Sequence, residues 1–172
     1  MRLLGAVLAG GRSRRFGSDK AAAMLDGRRL LDHAAVALAA HCDDLVVVGR
    51  ADAAYVSIAD APASGLGPLG GLCAALLHAG VNGFDAVLML PCDVPALPAE
   101  VASALIADCP AVVASQPVVG CWPASLGKEL EDYLRSDQRR AMQAWVDHAD
   151  AARIVSGPLA NINLPADLQS LR

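Results

Sequence analysis

The chain has 172 residues, with 14 Lys and Arg against 18 Asp and Glu, so its formal net charge is -4 at pH 7. This length predicts one domain over residues 1–172, since domains commonly span roughly 100–200 residues. Hydrophobic residues make up 55% and charged residues 19%, which excludes a disordered or coiled-coil chain. The acidic balance argues against a nucleic-acid partner, because proteins that bind nucleic acids carry basic surfaces.

The predicted elements alternate between strands and helices. In chain order, we predict a strand at Leu3–Leu8, a helix at Leu30–Ala40, strands at Leu45–Val48 and Val56–Ala59, a helix at Leu69–Ala79, a strand at Ala86–Leu90, a helix at Pro98–Ala107, a strand at Ala111–Ser115, two short helices within Leu126–Asp150, an edge strand at Ala152–Val155 and a helix opening at Pro165. This alternation predicts an α/β fold with a mostly parallel sheet and helices on both faces. Ligands bind such sheets at the carboxyl ends of the strands.

Membrane and secreted classes of protein do not fit this sequence. No apolar run approaches the 18 residues of a membrane span, and the short apolar start is followed by Gly10 and Gly11 instead of a cleavage site. The five cysteines are an odd number with no C-x-x-C pair, which argues against a disulfide framework and a zinc ribbon. We therefore expect a cytoplasmic protein with no membrane partner.

The loop after the first strand, Leu8 to Lys20, combines glycines with cations. It contains Gly10, Gly11, Gly17, Arg12, Arg14, Arg15 and Lys20. Glycines let a backbone approach a ligand closely, and cations together with free N–H groups are what phosphates need. The spacing is not that of a P-loop, because no Ser or Thr follows Lys20. The loop is predicted to bind phosphates; an ordinary flexible connection is the alternative.

The segment Gly65–Gly71 contains a literal G-x-G-x-x-G. It lies in the third crossover, and Asp60 to Ser64 separate it from the preceding strand, so a dinucleotide-binding oxidoreductase is only weakly indicated. Pro68 fits the first turn of a helix. The glycines would then let that helix start close to another backbone or to a ligand, although a helix start without a ligand stays open.

Asp93 follows the strongest predicted strand, between Pro91 and Pro95. Mg²⁺ usually takes one or two protein carboxylates and completes its shell with phosphates and water, so Asp93 is a candidate ligand. The alternative is a cap on the following helix. Cys92 has no His in a candidate loop to activate it, which favours a buried inert thiol. Asn161 and Asn163 precede the last predicted helix, where they could also serve as caps.

These motifs together resemble the molybdenum cofactor guanylyltransferases, which are nucleotide-binding α/β enzymes. The matching residues are Leu8-Ala9-Gly10-Gly11 with Arg15 and Asp19-Lys20, Asp60, Gly67-Pro68-Leu69-Gly70-Gly71, Pro91-Cys92-Asp93-Val94-Pro95, Arg139-Arg140, and Asn161-Ile162-Asn163 with Pro165 and Asp167-Leu168. The resemblance implies a Rossmann-like nucleotidyltransferase fold. It also implies the transfer of GMP from GTP to the terminal phosphate of molybdopterin, with Mg²⁺ as cofactor and pyrophosphate as the leaving group.

The resemblance also implies roles for single residues. The nucleotide would be bound by Leu8, Ala9, Gly10, Gly11, Lys20, Asp60 and Asp93, and the metal by Asp93. Lys20, Asp93 and Arg15 would be catalytic, and the pterin substrate would meet Arg15, Arg139, Asn161 and Asn163. Implied partners are GTP, the molybdopterin cofactor, and proteins that insert molybdenum or use the finished cofactor.

The sequence departs from the family pattern at three places. Phe16 stands where the family usually has Met, Val48-Gly49-Arg50 replaces an Asn-rich strand end that helps to read the base, and Gln116–Pro123 lacks a polar Asp-Gly-x-x-x-Pro pattern. A cytidylyltransferase and a sugar-phosphate nucleotidylyltransferase therefore stay open, although the latter normally needs a longer chain. A nucleotide-binding or cofactor-handover protein without catalysis is the alternative from another class.

Overall fold

The computed structural model describes residues 1–10, 19–136, 141–162 and 167. Its strands and helices, in chain order, are β1 (Leu3–Leu8), β2 (Met24–Leu25), β3 (Arg28–Arg29), α1 (Leu30–Ala39), β4 (Asp44–Val48), β5 (Val56–Ile58), α2 (Pro68–Val81), β6 (Ala86–Pro91), α3 (Ala99–Ala107), β7 (Ala111–Val113), β8 (Gln116–Pro123), α4 (Gly127–Arg135), α5 (Met142–His148) and β9 (Ala152–Ile154). Short 3₁₀ turns lie at Lys20–Ala22 and Ala124–Leu126.

Seven strands form the central sheet in the order β5-β4-β1-β6-β8-β7-β9. Among these described strands, β8 runs antiparallel to its neighbours and the others share one direction. Leu8 pairs with both Val48 and Pro91, so β1, β4 and β6 end side by side. Their carboxyl ends therefore form one continuous edge, as expected of a parallel sheet.

The sheet is covered by helices on both faces. On one face, Leu4 and Ala6 of β1 join a core with α2, α4 and α5. On the other, Leu3 and Val7 join a core with α1 and α3. All six residues of β1 are buried, which explains why this strand reads as an unbroken apolar run instead of an alternating one.

Most predicted elements are confirmed to within two residues, and the predicted α/β fold class is confirmed with them. The predicted strand Ala111–Ser115 is wrong at its end, because β7 stops at Val113 and a turn leads directly into β8. Sequence analysis did not predict β8, because Pro117, Gly120 and Pro123 are residue types that are typical of loops and rare in strands. Pairing with β6 and β7 on its two sides makes this segment a strand.

The hairpin of β2 and β3 was also not predicted, because its two-residue strands are too short to show a period. The helix predicted to open at Pro165 lies outside the described residues except for Asp167. None of the described helices has the length and apolar character needed to cross a lipid bilayer.

Candidate active site

A cleft of about 1110 Å³ opens at the carboxyl ends of β1, β4 and β6. The chain leaves β1 towards β4 on one side and later returns through α2 to β6 on the other. Ligands of open α/β sheets bind where the strand order reverses in this way. The described residues that follow β1 and β6 line the cleft, among them Gly10, Lys20 and Asp93.

The floor of the cleft is backbone. The N–H groups of Ala9 and Gly10 both donate to the carbonyl oxygen of Val48, at 3.0 and 3.1 Å, and the N–H of Cys92 donates to that of Leu8 at 3.0 Å. A Cβ added to Gly10 would stand 2.8 Å from the Cα of Gly49. The loops after β1 and β4 are therefore in direct contact, and this contact requires glycine.

Lys20 and Asp93 meet inside the cleft. The Nζ of Lys20 lies 2.9 Å from Oδ2 of Asp93, and the two side chains are only 13% and 23% exposed. Asp93 lies in the turn after β6, where the N–H of Val94 donates to the carbonyl of Pro91 at 3.0 Å. Its second oxygen, Oδ1, is buried and accepts no hydrogen bond from the described residues. That oxygen needs a partner that approaches from the cleft or from a nearby loop.

The alternative in which Asp93 caps a helix is wrong. The next helix, α3, begins at Ala99 with Pro98 in the N-cap position and no side-chain cap. Cys92 is buried, and desolvation raises the pKa of its thiol to about 11, with the charge of Asp93 acting in the same direction. The thiol is therefore neutral at pH 7, as expected of an inert cysteine.

Asp60 lines the same cleft beyond the end of β5. Its Oδ1 lies 3.3 Å from the position of a Cβ added to Gly49 and 3.7 Å from one added to Gly71. Partial burial raises the pKa of Asp60 above its ordinary value, and none of the described residues pairs with its carboxylate. Asp60 therefore presents an acceptor to the cleft in a confined, partly desolvated position.

The glycine-rich segment brings the start of α2 onto the strand ends. Gly67 has a φ of +65° and Pro68 follows as the first helical residue. A Cβ added to Gly71 would stand 2.6 Å from Cδ2 of Leu8 and 3.4 Å from Cγ1 of Val48. Gly71 thus allows α2 to pack closely on β1 and β4, and its nearest neighbours are strand side chains rather than the backbone or ligand that the sequence predicted.

The wall of the cleft on the β8 side of β6 includes Gln116 and Val118, and Asn161 also lines the cleft. Gln116 opens β8, so this wall exists because β8 pairs beside β6, which sequence analysis missed. The C-terminal segment is tied to the site by the N–H of Ile162, which donates to the carbonyl of Asp93 at 2.9 Å. Among the predicted site residues, Gly11, Arg15, Arg139 and Asn163 lie outside the described residues.

The structure brings together the seven predicted site residues that it describes. All of them line one cleft: Leu8, Ala9, Gly10, Lys20, Asp60, Asp93 and Asn161. Sequence reasoning assigned no role to Arg50, which pairs with Asp19 at the rim of the cleft. A lone arginine after a strand gives no local signal of its partner, because the pairing depends on how β4 sits beside β1.

Known proteins share this sequence pattern and fold. Residues 5–152 match the MobA-like NTP transferase domain. The chain is 34% identical over 189 residues to molybdenum cofactor guanylyltransferase of Rhizobium leguminosarum bv. trifolii (strain WSM2304), covering 96% of this chain and 90% of that protein. It is 32% identical over 182 residues to the protein of the same name from Cereibacter sphaeroides (strain ATCC 17023), with coverage of 98% and 94%.

A solved structure agrees in fold. The molybdopterin-guanine dinucleotide biosynthesis protein A from Archaeoglobus fulgidus superposes with a TM-score of 0.70 at 24% identity, covering 97% of this chain and 95% of that one. The interpretation of Gly65–Gly70 as the fingerprint of a dinucleotide-dependent oxidoreductase is overturned by these matches. The chain therefore belongs to the MobA-like NTP transferases, as a nucleotidyltransferase of the molybdenum cofactor guanylyltransferase family.

Proposed function

We propose that the protein transfers GMP from GTP to the terminal phosphate of molybdopterin, releases pyrophosphate, and uses Mg²⁺ as cofactor. The names of its relatives support this reaction. The observation that carries the proposal is the partly buried pair of Lys20 and Asp93 at the reversal point of the sheet. An ammonium and a carboxylate in one cleft can serve the two needs of nucleotidyl transfer, phosphate neutralisation and metal binding.

The residues present suit a magnesium ion. Oδ1 of Asp93 is buried without a hydrogen-bond donor among the described residues, and a carboxylate oxygen is a ligand that Mg²⁺ prefers. The described residues contain no cluster of three or more His, Cys, Asp or Glu side chains. A magnesium ion on Asp93 would therefore take its other ligands from phosphates and water. When bound, it supplies Lewis acidity and charge neutralisation to the triphosphate.

The chain's own groups position the reactants. We infer that Leu8, Ala9 and Gly10 offer backbone to the nucleotide, and that Lys20 donates hydrogen bonds to its phosphate oxygens. An oxygen of the acceptor's terminal phosphate then forms a bond to the α-phosphorus, and the bond from that phosphorus to the bridging oxygen of pyrophosphate breaks. The pyrophosphate leaves with the electron pair. Such a step needs little covalent help, so positioning and charge carry the catalysis.

Asp60 supports guanine as the base. Guanine presents two adjacent donors, N1–H and the 2-amino group, whereas cytosine presents one amino donor beside acceptors. An acceptor-only carboxylate matches the first pattern and is mismatched to the second. Since Gly49 contributes no side chain where the family has an Asn-rich strand end, Asp60 would carry most of the base choice in this protein.

The acceptor would lie against the wall of the cleft on the β8 side of β6. Asn161 and Gln116 line the cleft, and Gln116 opens β8, which lies beyond β6 in the sheet, whereas Asp60 follows β5 at the other end of the strand order. We propose, with the family resemblance as support, that Arg15, Arg139 and Asn163 join Asn161 around the pterin substrate. Proteins that insert molybdenum or receive the finished cofactor remain the proposed protein partners.

The test is release of pyrophosphate from GTP or CTP with molybdopterin as acceptor, with Mg²⁺ or with EDTA. We expect turnover with GTP and Mg²⁺, and a loss of at least about 100-fold in the Asp93→Ala variant. Asp108→Ala is the matched control, because Asp108 is an exposed carboxylate at the end of α3. Turnover near the wild-type level in Asp93→Ala would refute the proposed mechanism. A preference for CTP would reassign the donor nucleotide.

A further inference from the structure

Arg50 reaches across from the end of β4 to the loop that carries Lys20. Its Nη1 lies 2.7 Å from Oδ1 of Asp19. The same Oδ1 accepts the N–H of Ala21 at 3.2 Å and so caps the 3₁₀ turn Lys20–Ala22. From the first residue of that turn, the Nζ of Lys20 reaches Oδ2 of Asp93 at 2.9 Å. A continuous set of contacts thus connects Arg50 with the polar pair in the cleft.

We propose that Arg50 is a positioning residue, which fixes the carboxylate of Asp19 and through it the turn that places Lys20 in the cleft. This inference rests on the proposed function, because it assumes that Lys20 acts on the phosphates of the nucleotide. Nothing in the sequence pattern of the loop indicates this role, since Arg50 and Asp19 belong to different elements.

The position of Arg50 suits it to this task. It directly follows Gly49, whose backbone contacts Gly10, so the end of β4 is held against the loop after β1. The Arg50 side chain is 26% exposed, and its Nε is buried without a hydrogen-bond acceptor among the described residues. The guanidinium is therefore largely enclosed by the protein. Hydrogen bonding from Arg50 also lowers the pKa of Asp19, which favours the ionised form of this cap.

Positioning matters here because a lysine ammonium sits on a flexible four-carbon stem. Its location in the cleft depends on the backbone turn from which the stem starts. A misplacement of about 1 Å in a charged group can reduce turnover by up to about 100-fold. By contrast, Asp19 is 54% exposed, and an exposed ion pair adds little to the free energy of unfolding. Loss of Arg50 should therefore affect turnover much more than stability.

The test compares the Arg50→Ala, Asp19→Ala and double variants. We expect each single variant to lower kcat by about 10- to 100-fold, with a change below about 3-fold in the KM for GTP and a shift in Tm below about 3 °C. The double variant should lose no more than the worse single one, because both changes break one connection. Arg153→Ala is the matched control, since Arg153 pairs with Asp147 on the exposed surface away from the cleft.

A second readout does not depend on activity. The chain has two lysines, Lys20 and Lys128, so protein labelled with ¹³C at lysine Cε gives two sets of side-chain signals, assigned with Lys128→Arg. In the wild type, the two Hε protons of Lys20 should have different NMR chemical shifts, because the side chain is fixed beside Asp93. In Arg50→Ala they should converge, as expected for the exposed Lys128.

The outcomes distinguish the positioning role of Arg50 from the proposed function of the protein. A Lys20 signal unchanged by Arg50→Ala would overturn the positioning role, and so would a variant with raised KM and normal kcat, which indicates direct contact of Arg50 with GTP. Additive losses in the double variant would also overturn it. If the Lys20 signal moves but the wild type shows no guanylyl transfer, the positioning of Lys20 stands and the proposed function fails.

Discussion

Replacing Gly49 with Ala should damage the floor of the cleft. Gly49 has a φ of +84°, a backbone conformation that residues other than glycine rarely adopt. An added Cβ would also lie 2.7 Å from the Cα of Gly10. The Gly10 backbone cannot rotate away as a flexible side chain would. Ordinary contact begins at 3.4 Å, so the two loops would have to separate by about 0.7 Å.

The cost follows from these distances. The left-handed conformation costs an alanine about 1–2 kcal/mol. Separating the loops would stretch the hydrogen bonds from Ala9 and Gly10 to Val48, now 3.0 and 3.1 Å long, beyond useful range. At about 1 kcal/mol for each of the two bonds, the total loss in the free energy of unfolding is about 3–4 kcal/mol. For a chain of this size, that corresponds to a fall in Tm of about 6–16 °C.

Thermal unfolding with and without GTP and Mg²⁺ measures both consequences. Besides the lower Tm, the stabilisation of Gly49→Ala by GTP should largely disappear, because the loop backbone no longer fits the nucleotide. Gly80→Ala is the control, since Gly80 is exposed in α2 with no atom within 4 Å of an added Cβ. The free energy of unfolding of Gly80→Ala should rise by about 0.5–1 kcal/mol, because alanine favours a helix more than glycine does. A Gly49→Ala protein within 2 °C of the wild type, with its GTP response intact, would refute the contact between the loops.

Three further predictions concern single side chains. Asp60→Asn should lower turnover with GTP by about 100-fold and favour XTP, because the C2 carbonyl and N1–H of xanthine match the donor and acceptor of an amide. An unchanged preference for GTP would show that Asp60 does not select the base. Cys92→Ala should keep wild-type turnover, and iodoacetamide should not label the folded thiol at pH 7, because the pKa of Cys92 is raised to about 11; rapid labelling would contradict this. Hydrogen bonds from Arg29 hold the pKa of Asp32 and of Asp52 below the ordinary 3.8. The ion pairs of Arg29 with these carboxylates therefore stabilise the folded protein above pH 3.8, and this stabilisation is lost as the pH falls through the lower folded-state pKa values. In urea unfolding, the free energy of unfolding of Arg29→Ala should be about 1 kcal/mol below that of the wild type at pH 7, and this difference should shrink below pH 3.8. A difference that grows in acid would contradict the stabilising role of these ion pairs.

The amino-acid sequence alone specified much of this protein. The apolar run Leu3–Leu8 ending in glycines, and the run before Pro91, are buried strands because only strands covered on both faces tolerate uninterrupted hydrophobicity. The alternation of such runs with helices identified the α/β class and its functional edge. The order of the motifs pointed to the family that the comparisons show.

Tertiary structure decided which of these pieces meet. Lys20 and Asp93 lie 2.9 Å apart only because β6 pairs beside β1, and the insertion of β8 beside β6 places Gln116 in the cleft. The contact of Arg50 with Asp19 likewise depends on the pairing of β4 with β1. Local patterns report the burial of a segment and not the identity of its neighbours. Strand order arises from the packing of the whole chain, so the geometry of the site could not be read from the sequence.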